Sequence, residues 1–351
     1  MIRVAILGAG IGAEHLAGYR ALPNLFEVVT ICDLDRARAE AIAGGARVEV
    51  DAQKVIADPG IDLIDICLPP HLHVPMSLAA LDAGKHAICE KPVATSLADA
   101  DLLQEAETRS AGCLFPVFQY RFGKAMSQLD VLRDGGLLGA PHMAALETHW
   151  ARGADYYAVP WRGTWAGEQG GAIVGHAIHA HDLLTHFFGE VAQVSAQLTT
   201  RINPIETEDC AALSFQMANG ALATSSVTLG GADDTTRIKL IFEHLTATSG
   251  SKPYAPMDQP WTFQAREPDL QPRVDEIVAN ATSGLAGFAG FLSEVAHAIK
   301  GAPNRAVRLD DGRRSLEIIT AAYASSRAGG TPMACPVAPD HPLYAGWQPK
   351  S

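Results

Sequence analysis

Ile2-Arg3-Val4-Ala5-Ile6-Leu7 is a short run of mostly β-branched and aliphatic residues. It predicts a fully buried strand. Gly8-Ala9-Gly10-Ile11-Gly12-Ala13 follows, and Glu14-His15-Leu16-Ala17 opens a helix. The alternation then continues. Strands are expected at Phe26–Cys32, Ile61–Leu68, His86–Cys89 and Leu114–Gln119. Helical stretches are expected at Asp51–Ala57, Val74–Ala83 and, behind an N-capping Ser96, as far as Ala111. Strand and helix in turn imply a parallel, doubly wound sheet. Near residue 122 the pattern changes. A helix over Gly123–Arg133 leads into β-rich stretches at Ala140–Trp150, Ala192–Arg201, Ala211–Gln216, Ala221–Leu229 and Arg237–Phe242. Ala218-Asn219-Gly220 marks a hairpin turn among them. One long helix, Ala172–Phe188, interrupts the set, and helices over Leu285–Lys300 and Asp310–Arg327 follow it. Tyr254–Pro272 reads as loop with room for one short strand. The expected fold class is α/β. A Rossmann-type doubly wound sheet occupies residues 1–121, and an α+β domain with a large, open, mostly antiparallel sheet occupies residues 122–351. Such a sheet is expected to leave one apolar face, inviting a homodimer or homotetramer.

The glycine stretch is G-x-G-x-x-A between a strand and a helix, the setting the dinucleotide fingerprint requires. Gly8 permits the tight turn and Gly10 a close approach of backbone to pyrophosphate. Ala13 is expected to keep helix and strand close. The helix start then faces the phosphates. Asp33 ends the second strand about 20 residues on, where an acid bonds the adenosine ribose. A carboxylate there repels a 2′-phosphate, so NAD is favoured over NADP, with Arg36 near enough to soften the preference. A plain strand–helix turn explains the glycines but not the acid.

Bulk composition narrows the function classes. The 351 residues suffice for two domains. The net charge of −12 argues against nucleic-acid or anionic-membrane partners. The six cysteines show no C-x-x-C pair or zinc spacing, which predicts buried, reduced thiols. No apolar run reaches spanning length, and no leader precedes the first strand, so a cytoplasmic protein is expected.

Two stretches carry candidate chemistry. Cys89-Glu90-Lys91-Pro92 ends a parallel strand on the carboxyl edge, where ligands bind. An ammonium at Lys91 can donate to a substrate oxygen and stabilise charge as hydride moves. The second stretch runs from Gly170 to Asp182. On a helix His179 shares a face with both His176 and Asp182. A neutral imidazole can take the proton of an alcohol, and a carboxylate can hold its tautomer. His176, His179, His181 and Asp182 also suggest a metal set, but His181 points off the shared face, and no metal is expected. His73 sits on the same edge as Lys91, where a cofactor contact competes with a capping role. Arg152, Tyr156, Tyr157, Trp161 and Arg162 form an aromatic and basic loop suited to a polyol or an acidic group.

Gly8 to His15, Asp33, Pro69 to His73, the run Gly84-Lys85-His86-Ala87-Ile88-Cys89-Glu90-Lys91-Pro92, Gln119 to Phe122 and Gly170 to Asp182 together resemble the glucose-fructose oxidoreductase / inositol dehydrogenase / rhizopine-catabolism (Gfo/Idh/MocA) family over nearly the whole chain. The resemblance implies NAD(P)-dependent oxidation or reduction of sugars or cyclitols. It also implies Lys91 as catalytic lysine, His179 as acid/base and Asp182 as the acid beyond it. The implied cofactor contacts are Gly8, Gly10, Ile11, Gly12, Asp33, Pro69, His73, Glu90, Lys91 and Gln119. Arg152, Trp161, Arg162 and His176 are the expected substrate contacts. Many dehydrogenases of the family carry an aspartate four residues before the histidine; here it is Gly175, and His176 next to it is the candidate deputy. Two rival readings stay open: an NAD-dependent glycoside hydrolase using transient oxidation, and a non-catalytic NAD and sugar sensor.

Overall fold

A computed structural model of the chain describes residues 1–282 and 284–349. The chain divides into two compact units, residues 1–118 with 288–313 and residues 119–287 with 314–351. The expected division after residue 121 differs in that residues 119–121 join the second unit and a late segment returns to the first. Among the described residues no helix is long and apolar enough to cross a membrane.

The first unit alternates β1 (Ile2–Leu7), α1 (Gly12–Arg20), β2 (Phe26–Cys32), α2 (Arg36–Ala43), β3 (Arg47–Glu49), α3 (Ala52–Ile56), β4 (Leu63–Ile66), α4 (His73–Asp82), β5 (His86–Cys89), α5 (Leu97–Arg109) and β6 (Leu114–Pro116). Among the described residues six strands pair in the order β3-β2-β1-β4-β5-β6, all parallel. β4 and β6 are buried throughout, which explains their apolar runs, whereas Arg3 of β1, Glu27 of β2 and Arg47 of β3 are exposed. Strand order reverses between β1 and β4. That places Gly8 and Cys67, which follow those two strands, at the crevice where open α/β sheets bind ligands. Ser96 caps α5 as expected, its Oγ accepting from Asp99 N at 3.0 Å. A later helix, within Gly287–Ile299, closes this unit from residue 288 onward. Gly18 of α1 admits it: a Cβ there would lie 3.0 Å from Leu292 Cδ1 and 3.1 Å from Phe288 Cβ.

The second unit contains α6 (Lys124–Asp134), β7 (Pro141–Ala151), α7 (Ala154–Tyr157), α8 (Ala172–Gly175), α9 (Ile178–Phe188), β8 (Val191–Thr199), β9 (Cys210–Met217), β10 (Leu222–Thr228), β11 (Gly230–Phe242), β12 (Leu245–Thr248), β13 (Thr262–Ala265), α10 (Gln271–Asn280) and β14 (Met333–Ala334). The helix within Gly287–Ile299 is α11, and α12 spans Leu309–Arg327. Among the described residues eight strands run β13-β12-β11-β7-β10-β9-β8-β14, antiparallel except for β7 against β10. The β9–β10 hairpin turns at Gly220, whose φ of 89° suits glycine. The expected single helix over 172–188 is two: α8 ends at Gly175, His176 after it has φ of −127° and ψ of −56°, and α9 begins at Ile178.

The sheet buries one face, with Leu146, Leu213, Phe215, Val227 and Leu240 in the core. The other face is not the apolar surface expected. It shows Ser214, Gln216, Thr224, Ser226, Arg237 and Lys239, with Leu222 as an exposed large apolar side chain. Period-two alternation fixes which residues face out, and the outward set here is mostly small or polar.

Candidate cofactor and substrate sites

In the first unit the three glycines have separate duties. Gly8 has φ of 101°, and a Cβ there would lie 2.3 Å from Cys67 O, so only glycine fits. A Cβ at Gly12 would lie 2.8 Å from Ile6 Cγ2. Helix–strand closeness therefore rests on Gly12, one residue before the Ala13 expected to provide it. A Cβ at Gly10 meets nothing within 4 Å. No packing among the described residues demands glycine there, which fits a place kept clear for a ligand. Among the described residues no side chain caps α1 at Ile11, so the helix start is open to an anion. Asp33 accepts from Ala9 N at 2.8 Å and from Asp35 N at 2.9 Å, which fixes its carboxylate beside the glycine turn. The nearby cation is Arg38, 4.0 Å from Asp33 Oδ2, rather than Arg36, which lies 3.8 Å from Glu40. Together these residues fit the pyrophosphate and ribose of NAD.

At the strand ends Pro69 precedes the turn into α4. His73 is buried, with Nδ1 2.6 Å from Pro92 O and Nε2 2.7 Å from Leu68 O. Both ring nitrogens thus face backbone carbonyls, and the ring braces the loop that follows Lys91. Burial lowers its pKa, and a neutral ring donates to one of the two carbonyls. Lys91 N donates to Glu90 Oε2 at 3.1 Å, and the Lys91–Pro92 peptide is cis.

Behind this loop lies a polar cluster without a local sequence signature. His15, fully buried on α1, sets Nδ1 2.9 and 3.1 Å from the Asp65 oxygens and Nε2 3.0 Å from Glu90 Oε1. Tyr19 OH donates to Asp65 Oδ2 at 2.9 Å. Burial opposes charge on His15, but the Asp65 carboxylate outweighs it and holds the pKa well above the ordinary imidazole value. Among the described residues His15, Asp65 and Cys67 also form the one group with three potential metal-ligand atoms within 4.8 Å of one another. Burial, then Asp65, pushes the Cys67 pKa up, so sulfur stays a thiol, and His15 Nδ1 already bonds Asp65. As they stand, His15 and Asp65 form a buried ion pair. Burial likewise raises Cys32 to about 11; Cys32, Cys67 and Cys89 are buried as expected, whereas Cys113, Cys210 and Cys335 are only half-buried.

In the second unit Glu208 positions the histidine segment from far along the chain. Its carboxylate accepts from Gly171 N at 3.2 Å, Ile173 N at 3.1 Å and Tyr323 OH at 2.7 Å, capping α8. A Cβ at Gly171 would lie 2.0 Å from Glu208 O, which accounts for glycine there. His179 stacks on Tyr120 with centroids 4.7 Å apart. Both Asp182 oxygens accept from Arg121, at 2.8 Å from Nε and 2.5 Å from Nη2, in a buried bidentate pair. Asp182 thereby ties the Gln119–Arg121 turn to α9 one turn beyond His179. The Oε1 of Gln119 is buried and lacks a hydrogen-bond partner among the described residues, an acceptor suited to a ligand donor. His181 turns to the sheet instead. Its Nε2 meets Ser225 Oγ at 3.0 Å beside Phe215, and burial lowers its pKa to about 4.

The aromatic and basic loop gathers around Tyr156. Arg162 lies 3.8 Å over that ring and 5.3 Å from the Trp161 ring, and the His176 ring is 5.8 Å from Tyr156. Arg152 stands 4.9 Å from Trp150 and 5.2 Å from Tyr156, and its guanidinium meets Asp234 at 3.0 Å and Tyr254 OH at 2.7 Å. Tyr254 OH also bonds Asp234. The open cleft of about 560 Å³ lined by Arg152, Tyr156, Tyr254 and residues 151–155 has the size of a small-ligand site. Asp234 and Tyr254, 82 and 102 residues beyond Arg152 in the chain, carry no sequence signal for that partnership.

The switch-point crevice, the glycine turn and Asp33 define a dinucleotide-binding protein of the two-unit oxidoreductase class. Two models of one family match, "Oxidoreductase family, NAD-binding Rossmann fold" over residues 2–118 and its C-terminal domain over residues 126–248. The chain belongs to the Gfo/Idh/MocA oxidoreductase family, and its first unit is an NAD-binding Rossmann fold. It is 28% identical over 233 residues to the uncharacterized oxidoreductase YrbE of Bacillus subtilis, a match covering 63% of this chain and 65% of that protein. It is 30% identical over 195 residues to a D-glucoside 3-dehydrogenase of Escherichia coli, covering 54% of each. The chain thus matches less than two thirds of the length of these curated relatives. The crystal structure of the WlbA dehydrogenase from Chromobacterium violaceum with NADH and UDP-GlcNAcA is similar with a TM-score of 0.84, 26% identity and 96% of each chain covered.

Proposed function

We propose that the chain is an NAD-dependent dehydrogenase acting on a secondary alcohol of a sugar, sugar acid or cyclitol. The observation that carries the reading is one chain holding both an uncapped glycine-turn helix beside Asp33 and an imidazole seated by Tyr120 next to the Arg121–Asp182 pair. Gly8, Gly10, Ile11, Gly12 and Asp33 would hold the cofactor's phosphates and ribose. NAD, when bound, accepts the hydride. Lys91 donates to the carbinol oxygen and stabilises its developing charge. His179 takes the hydroxyl proton. Asp182, locked to Arg121, keeps α9 and with it His179 in place. Arg152 with Tyr156 and Tyr254 lines the substrate cleft, and Arg162 and His176 against Tyr156, with Trp161 against Arg162, support it; rings cover apolar sugar faces and charged groups bond hydroxyls. The sugar-oxidising relatives support this substrate class.

The test is NADH formation from NAD⁺ across a panel of sugars, sugar acids and cyclitols. Lys91→Ala and His179→Ala are each expected to lower kcat by about 10²–10⁴-fold with NADH binding kept. Full turnover by Lys91→Ala overturns the assignment. Sugar release without net NADH points to the hydrolase, and NADH binding without turnover on any panel member to the sensor.

A further inference from the structure

The buried cluster around His15 lies outside the steps assigned to Lys91 and His179, yet it contacts the segment that carries Lys91. Its members come from three places: His15 and Tyr19 on α1, Asp65 on β4, and Glu90 just past β5. Tyr19 OH and His15 Nδ1 meet Asp65, His15 Nε2 meets Glu90 Oε1, and Glu90 Oε2 accepts from Lys91 N. Each His15 nitrogen faces a carboxylate oxygen at 2.9–3.1 Å, and carboxylates only accept. An imidazolium alone donates to both. One positive charge therefore neutralises part of two buried negative ones, and this ties the first turn of α1 to the Glu90–Lys91 step. A charge-assisted bond sits at each end of the ring.

We infer that His15 is a positioning residue that sets Lys91 by holding the Glu90 carboxylate against the Lys91 backbone N–H. The inference rests on the reading of Lys91 as the group that stabilises the substrate oxygen. Losing the Nε2 bond frees Glu90 and, through it, the backbone of Lys91. Losing the Nδ1 bond alone loosens the Asp65 side chain, which still accepts from Tyr19 OH, and leaves Glu90 N on Ile66 O and Lys91 N on Glu90 Oε2. The two ends of the imidazole thus have different consequences, and two amides separate them. An asparagine nitrogen falls where Nδ1 was and keeps Asp65. A glutamine nitrogen reaches where Nε2 was and keeps Glu90.

The experiment compares His15→Asn, His15→Gln, Glu90→Gln, the pair His15→Asn/Glu90→Gln, and Tyr19→Phe in the full chain. It reads kcat, NADH affinity by fluorescence, and the thermal midpoint. His15→Asn is expected to lower kcat by about 10- to 100-fold, a cost of misplacement, with NADH affinity within a few-fold. His15→Gln should lose less kcat than His15→Asn. Adding Glu90→Gln to His15→Asn should lower kcat no further, because both act through one bond. Tyr19→Phe should lower the midpoint and spare kcat. Nitrogen-edited NMR of the unmodified protein should show both His15 ring N–H groups above neutral pH. Equal kcat in all His15 variants despite lowered midpoints, additive losses in the pair, or a singly protonated ring overturns the inference. Lys91→Ala with full turnover overturns the dehydrogenase reading and this inference with it. An inactive Lys91→Ala beside a fully active His15→Asn overturns this inference alone.

Discussion

Of the histidines between Gly170 and Asp182, His181 gives the sharpest prediction, because its surroundings set both a sign and a size. It is buried against Phe215 with Nε2 on Ser225, and burial lowers its pKa from 6.5 to about 4. The unfolded chain takes up this proton near 6.5 and the folded chain only near 4. The contribution is therefore fully present above 6.5 and is lost as pH falls through that window. The whole interval is worth about 3 kcal/mol at 1.36 kcal/mol per unit, and about 2 kcal/mol of it is gone by roughly pH 5. His181→Gln keeps a donor for Ser225 but cannot charge. Its urea-unfolding free energy should start lower near neutrality, through poorer packing. It should then fall by about 2 kcal/mol less than that of the unmodified protein between neutrality and roughly pH 5. Parallel pH dependence of the two proteins, or a His181 resonance titrating near 6.5, would refute the reasoning.

Two further outcomes follow from the geometry. Arg121→Ala strips Asp182 of its bidentate partner, which should cost about 3–5 kcal/mol, and Asp182→Ala added to it should recover part of that; denaturant midpoints check both. Gly10→Ala should fold normally and bind NADH weakly, whereas Gly8→Ala should lose thermal stability even without cofactor, since its Cβ overlaps Cys67 O; calorimetry with and without NADH separates them.

The nucleotide half was the more legible in sequence because its signals are local. Apolar strands, the glycine turn and Ser96 each act within a few residues of themselves; in the second unit the Asn219-Gly220 turn does the same. Strands β3 and β14 are three and two residues long, too short to establish a period, and they form only because a neighbouring edge receives them. The split between α8 and α9 was hidden because apolar spacing runs on through His176. The site was legible in its parts and opaque in its partnerships. His179 and Lys91 stand out by residue type and context. Glu208 capping α8, Arg121 on Asp182 and His15 between Asp65 and Glu90 join residues from 35 to 75 positions apart, and no period or motif encodes such pairs. The outward face of the second sheet shows the converse. Alternation sets which residues face outward, and their own side chains, not the period, make that face polar.

The closure of the first unit by residues 288–313 has a consequence for biosynthesis. A ribosome releases β1 through β6 long before it makes the helix that covers Gly18. The nascent nucleotide fold must therefore wait, one flank bare, while more than 160 intervening residues emerge. Its last structural piece arrives only after most of the other half has left the exit tunnel. The two halves thus share one birth schedule, and no single cut through the gene would liberate the earlier one whole.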